Sequence, residues 1–194
     1  MSIIALASNT LAGSPGAGQI EYNGQFYATD SNSSRGQIER ITQATAVSAS
    51  GTSVDFTGIP AWAKKITVML SGVSFAAAGV SAIRLSVSNS LVTSGYSASR
   101  MVFTTTPANA LTAITDGIAS ISTSNAATTI VGCVVLTKLT GNTWIASGQY
   151  WRNGDAAWTN TVGEIALAGT LDGVSIVATT STFDAGTINI LYEG

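Results

Sequence analysis

The side chains able to do chemistry in this sequence are few, and one type is missing. There is no histidine. Ser-His catalysis is therefore impossible, and zinc and copper lose their commonest ligand. A Ser-Lys pair would have to use Lys64, Lys65 or Lys138, and no serine spacing around them marks one. A glycosidase needs two facing carboxylates roughly 5–10 Å apart. The acids here stand singly: Asp55, Asp116, Asp155, Glu164, Asp172 and Asp184 each sit beside small or turn-forming residues. Asp116-Gly117 and Asp172-Gly173 read as turn pairs. The glycines of Gly13-Ser14-Pro15-Gly16-Ala17-Gly18 precede no lysine and follow no strand, so they form a linker and not a phosphate loop. Asn153-Gly154-Asp155 offers too few oxygens for calcium. The expectation is a non-enzyme with no catalytic residue, no cofactor and no metal.

Aromatic residues are the remaining candidates. Trp144, Trp151 and Trp158 follow one another at seven-residue intervals, Tyr150 adjoins Trp151, and Trp62 follows Ile59-Pro60. An aromatic ring on a sheet buries in a core or a subunit interface, or stacks on a sugar. Trp144 and Tyr150 share one strand parity, and Ile145 and Trp151 share the other, so each face of that strand carries one tryptophan. Trp62, Trp144, Tyr150, Trp151 and Trp158 are the candidate interface or glycan-contact residues. The single cysteine, Cys133, permits no intrachain disulfide. Inside the apolar run Ile130–Leu136 it reads as a small buried core residue.

Composition describes the body that must hold these residues. Of 194 residues, 9% are charged, where roughly 25% is ordinary. Ser (24), Thr (26), Ala (28) and Gly (20) together make up half the chain. Eight scattered basic residues and a net charge of −2 argue against nucleic-acid binding, which needs a clustered positive face. Hydroxyls must supply the surface polarity that charge ordinarily provides. No run approaches the roughly 18 apolar residues of a membrane helix. The start, Met1 to Ser8, lacks a positive segment, and its apolar stretch falls short of the usual 7–15 residues of a signal peptide, so no signal peptide is expected.

Patterning divides the chain at about residue 44. In residues 1–44, Asn23-Gly24 between two short alternating runs predicts a hairpin. Residues 30–34 form a polar loop. From residue 45 onward the period is two. Ile66, Val68 and Leu70 share a face, as do Ile83, Leu85 and Val87. Thr129–Thr140, Gly141-Asn142 and Thr143–Trp151 read as one long hairpin, and Asn153-Gly154 as the next turn. Further strands are expected over 157–162, 165–168, 173–178 and 187–192. Eight to ten short strands with turn punctuation predict an all-β protein, a jelly-roll-like β-sandwich over 45–194 with an extended N-terminal arm over 1–44.

Two segments carry a resemblance. Gly51-Thr52-Ser53-Val54-Asp55-Phe56-Thr57-Gly58-Ile59-Pro60-Ala61-Trp62-Ala63-Lys64-Lys65-Ile66-Thr67-Val68-Met69-Leu70-Ser71-Gly72-Val73 is similar to a segment of tailed-bacteriophage structural proteins. So is the stretch Leu171–Ile176 with Thr182–Glu193. Residues Ile20–Thr29 with Arg35-Gly36 look like a junction in tail-fibre-like chains. The resemblance implies a virion component, assembled in a bacterial host and oligomeric, with a trimer favoured. Its expected role is a short tail fibre or adhesin, with Tyr22, Phe26, Tyr27 and Arg35 in the attachment arm. Its expected partners are other virion proteins of tail or capsid. A capsid decoration protein and a carbohydrate-binding or glycan-cleaving module, touching host surface glycan, are the alternatives. No nucleic-acid partner and no membrane insertion are expected.

Overall fold

The computed structural model describes residues 10–23, 25–104 and 110–194. The start of the chain, where no signal peptide is expected, and Gly24 of the first predicted turn lie outside the described residues. The chain divides into two units, one ending at Arg40 and the other beginning at Ile41.

The first unit holds an antiparallel meander of β1 (Ile20–Tyr22), β2 (Phe26–Thr29) and β3 (Arg35–Gln37). Tyr22 pairs directly with Phe26 across the first hairpin, and their ring centroids lie 4.9 Å apart. The polar loop 30–34 closes on itself. Asp30 Oδ1 accepts from the backbone N–H groups of Asn32 and Ser34, each at 2.8 Å. That ladder brings in β3, a third strand beyond the expected hairpin.

The second unit begins with β4 (Ile41–Gln43), β5 (Val47–Ser48), β6 (Ser53–Thr57), β7 (Lys65–Phe75), β8 (Val80–Val87) and β9 (Ser90–Leu91). It continues with β10 (Ser97–Phe103), β11 (Ala110–Ile114), β12 (Ala119–Ser122), β13 (Thr129–Thr140), β14 (Thr143–Asn153), β15 (Ala157–Ala166), β16 (Leu171–Thr180) and β17 (Phe183–Glu193). These fourteen strands exceed the eight to ten expected, because two- and three-residue edge segments pair as well. Residues 157–162 and 165–168, expected as separate strands, merge through Gly163 into β15. A side chain on Gly163 would meet the carbonyl oxygen of Ile118 at 2.1 Å, so the glycine is a close approach and not a break.

All pairings within the two sheets are antiparallel. The large sheet runs β11-β10-β15-β14-β13-β7-β17-β4, with β5 also on β17. The small sheet runs β12-β8-β16-β6, with β9 on β8. Inner faces of both meet in one apolar core. Ala119, Ile83, Ile176 and Val54 align across the small sheet. Opposite them stand Ile188 and Ile190 of β17, Ile66, Val68 and Leu70 of β7, and Val134 and Leu136 of β13. The fold is thus an all-β sandwich. It forms because alternating strands bury one face and wet the other.

A bulge shifts β7 midway. Gly72 takes φ 62° and Gly186 of β17 takes φ 97°. A Cβ on Gly186 would sit 2.4 Å from the carbonyl oxygen of Gly72. The extra residue lets Ile66, Val68 and Leu70 and then Val73 and Phe75 all face inward despite a change of parity.

The inner face of the large sheet changes character along its width. One register row reads Ile190, Val68, Val134, Gly148, Thr161, Arg100 and Thr112, passing from apolar to polar toward β11. The small sheet's end strand β12 lies against this polar part. The N–H of Ser120 donates to Thr161 Oγ1 at 3.3 Å, and the N–H of Ser122 donates to the Tyr150 hydroxyl at 3.1 Å. Side chains thereby occupy the hydrogen-bonding groups that an end strand leaves open.

Candidate functional site

The outer face of the large sheet is built by alternation. Because Trp144, Ala146, Tyr150 and Arg152 of β14 point inward, Ile145, Ser147, Gln149 and Trp151 must point outward. The same rule sends out Trp158, Asn160, Val162 and Glu164 of β15, Phe103 and Met101 of β10, and Val131, Cys133 and Val135 of β13. Register then lines these residues up. Val131 pairs with Trp151, Trp151 with Trp158, and Trp158 with Phe103. Four large apolar side chains thus stand side by side on four neighbouring strands.

The row is open. Trp151 is 38% exposed, Trp158 is 41% exposed, and Val131 and Phe103 are exposed as well. Leu111, Val162 and Ile145 extend the apolar surface around it. The Trp158 indole N–H donates to Asn160 Oδ1 at 3.2 Å, which fixes the ring over its own strand. One register step away, Gln149 and Asn160 border an open depression of about 420 Å³, with Cys133, Ser147 and Val162 also in its lining. Glu164 is the one charged residue whose parity puts it on this face of β10, β11, β13, β14 and β15 among the described residues.

The aromatic candidates separate into three environments. Trp151 and Trp158 form the exposed row. Trp144 and Tyr150 are buried in the core. Burial raises the Tyr150 phenol above its ordinary range, opposed by Arg100 and by its bonds to Ser122. Trp62 is half-buried against the core, its ring 5.6 Å from Tyr192. Trp144 and Tyr150 thus present almost no surface of their own, unlike Trp151 and Trp158.

In the first unit, Arg35 pairs with Glu21 at 2.8 Å and also donates to the Ala12 carbonyl, while Glu21 accepts from the Ala12 N–H at 2.7 Å. Arg35 is a brace within its own unit. Tyr27 donates to the Gln25 side chain at 3.2 Å. Phe26 is exposed.

Cys133, expected in the core, is exposed on the outer face. Ile130, Val134 and Leu136 take the inward positions of β13, which leaves Cys133 the opposite parity. The carboxylates expected in turns act as braces. Asp172 accepts from Ser86 Oγ and from the Asn89 N–H, each at 2.7 Å, holding the hairpin between β8 and β9. Among the described residues no three Cys, Asp or Glu side chains gather to hold a metal. Phe103, Val131 and Leu111 were not singled out from sequence. Only the register shows that they adjoin the tryptophans. No protein-family model matches this chain, and neither does any curated protein or solved structure.

Proposed function

We propose that this chain is a non-enzymatic structural protein of a bacteriophage particle that works by assembling with copies of itself. The observation that carries the reading is the outer row Val131, Trp151, Trp158 and Phe103, in a group of five neighbouring strands whose outer positions hold one charged residue, Glu164, among the described residues. β13, β14, β15 and β10 are 12, 11, 10 and 7 residues long. At about 3.4 Å per residue and about 4.8 Å between strands, four such strands present roughly 650 Å². A standard interface takes about 800 Å² from each partner. A second copy would bring the same face, with one charged residue on these strands to desolvate, where a charged partner would bring more. The occupant is therefore another copy of the chain. The virion setting, as a short tail appendage or a head decoration and with a trimer favoured, rests on the sequence resemblance. The missing imidazole supports the non-enzymatic part.

Light scattering over a range of concentrations tests assembly. The full chain should run as an oligomer that Trp151→Ala and Trp158→Ala dissociate. A monomer at high concentration overturns the reading. Counting copies on particles separates the two settings, hundreds for a decoration protein and a few dozen or fewer for a tail appendage. One further reading has its own observation. Two neighbouring exposed indoles beside a Gln149–Asn160 depression form a surface on which a pyranose stacks. Glycan binding that disappears with Trp158→Ala while the oligomer persists would favour it.

A further inference from the structure

The two sheets of the second unit have four edges, and three of them are blunted. On the small sheet, the N–H groups of Ser120 and Ser122 in β12 donate to Thr161 Oγ1 and to the Tyr150 hydroxyl. Its other end strand, β6, carries the exposed Asp55. The far side of the large sheet is broken into β4 and β5, three and two residues long. Side-chain cover, charge and shortness are devices that keep a sheet edge from pairing with another chain.

The fourth edge is bare. β11 reads Ala110-Leu111-Thr112-Ala113-Ile114, and β10 is its one sheet neighbour among the described residues. Its register with β10 runs without a bulge from Ala98 and Ile114 to Val102 and Ala110. The strand holds no proline, and the chain from Met101 to Thr115 holds no charge. Four of its five residues are exposed, Leu111 at 69%. A free edge turns alternate N–H and C=O groups outward, and another extended strand is what satisfies them.

We infer that β11 pairs antiparallel with β11 of a second copy, across a two-fold axis at Thr112. That register pairs all five residues. Thr112 meets its own equivalent, a favourable cross-strand pair. Leu111 meets the partner subunit's Ala113, and Ile114 meets the partner subunit's Ala110. Each large side chain thus faces a small one, and no charge faces another. Such a contact is self-complementary and closes at two copies. It also joins the two outer faces side by side, because opposed residues of antiparallel strands lie on one side of the sheet. Leu111, paired with Met101, carries that face to the edge. One outer face of about 650 Å² falls short of the usual 800 Å² or so, whereas two joined faces present about 1,300 Å². The edge lies outside the tryptophan row, so the inference stands without the face-to-face reading.

Amide exchange of the full chain over a concentration series tests it. Amides of residues 110–114 that do not bond to β10 should exchange slowly at about 1 mM protein, and at least about tenfold faster on dilution below the Kd. Charge placement tests the register, in the Trp151→Ala, Trp158→Ala chain, which lacks the outer-face contact and should remain a dimer. Leu111→Lys with Ala113→Lys sets like charges opposite each other twice, and should raise the Kd at least about tenfold in sedimentation. Leu111→Lys with Ala113→Glu sets opposite charges there, and should keep the Kd within about threefold. Both positions are exposed, so the protomer folds in each variant. Fast exchange throughout 110–114 at about 1 mM overturns the inference. So does a monomer at that concentration in the tryptophan variant, or an equal Kd for the two charge placements.

Discussion

The hydroxyl of Tyr150, on the large sheet, accepts the backbone N–H of Ser122, on the end strand of the small sheet, at 3.1 Å. The same hydroxyl donates to the Ser120 carbonyl at 3.4 Å. A side chain here does the work of a neighbouring strand. Tyr150→Phe leaves that buried N–H without an acceptor, which costs roughly 1–3 kcal/mol. Urea unfolding should show a lower midpoint with an unchanged slope. An unchanged midpoint would mean that another group takes over the Ser122 N–H.

Stability should respond to pH chiefly at the alkaline end. Burial holds Tyr150 and Tyr96 above the ordinary phenol value of 10.0 in the folded protein. A raised folded value means that the unfolded chain loses its phenolic protons first. The contribution is present below pH 10.0 and is lost as pH rises beyond it. At the acid end the Ser86 hydroxyl, with the Asn89 N–H, holds Asp172 below the ordinary carboxyl value of 3.8, so its contribution is lost as pH falls below that region. With no histidine to titrate between, thermal midpoints should stay nearly level from about pH 5 to 9 and drop above 10. A transition near pH 6.5 would contradict this.

Removing one exposed indole should loosen the assembly without unfolding the protomer. Roughly 40% of a side chain that can bury about 200 Å² is still to be covered, which at about 25 cal/mol/Å² comes to about 2 kcal/mol. Trp151→Ala should therefore raise the dissociation constant roughly thirtyfold, read by sedimentation at several concentrations. Far-ultraviolet dichroism should be unchanged, because Trp151 stands outside the core. Trp144→Ala, by contrast, empties a core site and should cost about 3–5 kcal/mol of stability.

The β7 bulge supplies a fourth test. Gly186→Ala forces a Cβ toward the Gly72 carbonyl at a backbone angle that side chains avoid. The two penalties together should exceed about 2 kcal/mol. Gly141→Ala, at φ 54° but in open space, should cost only about 1 kcal/mol. Denaturation of the two variants side by side separates crowding from conformational strain.

Alternation was legible wherever one side of a strand is polar. Lys65-Ile66-Thr67-Val68-Met69-Leu70 announces its inner face, and Trp144 and Tyr150 share a parity that Trp151 does not. It was illegible over Ile130–Leu136, where both parities are apolar, and Cys133 therefore lands on the side opposite to the one expected. The outer face is apolar as well, so hydrophobicity there does not distinguish core from surface. The aromatic row joins positions 131, 151, 158 and 103, and Arg100 gains its setting from Ser120 and Thr161. Such neighbours come from strand register, which depends on turns and bulges far from the residues themselves. The three-residue strands and the merging at Gly163 were hidden because glycine marks a close approach as readily as a turn.

The pairing of β7 with β17 joins residues 65–75 to residues 183–193. During synthesis, the strand at 65–75 must wait for more than a hundred further residues before its partner leaves the ribosome. Until then its edge at Met69 and Leu70 is unmatched, and β13 alone covers one side. A nascent chain of this protein is therefore exposed to chaperones and to its own siblings for most of its translation, and the large sheet closes only once Glu193 has been made.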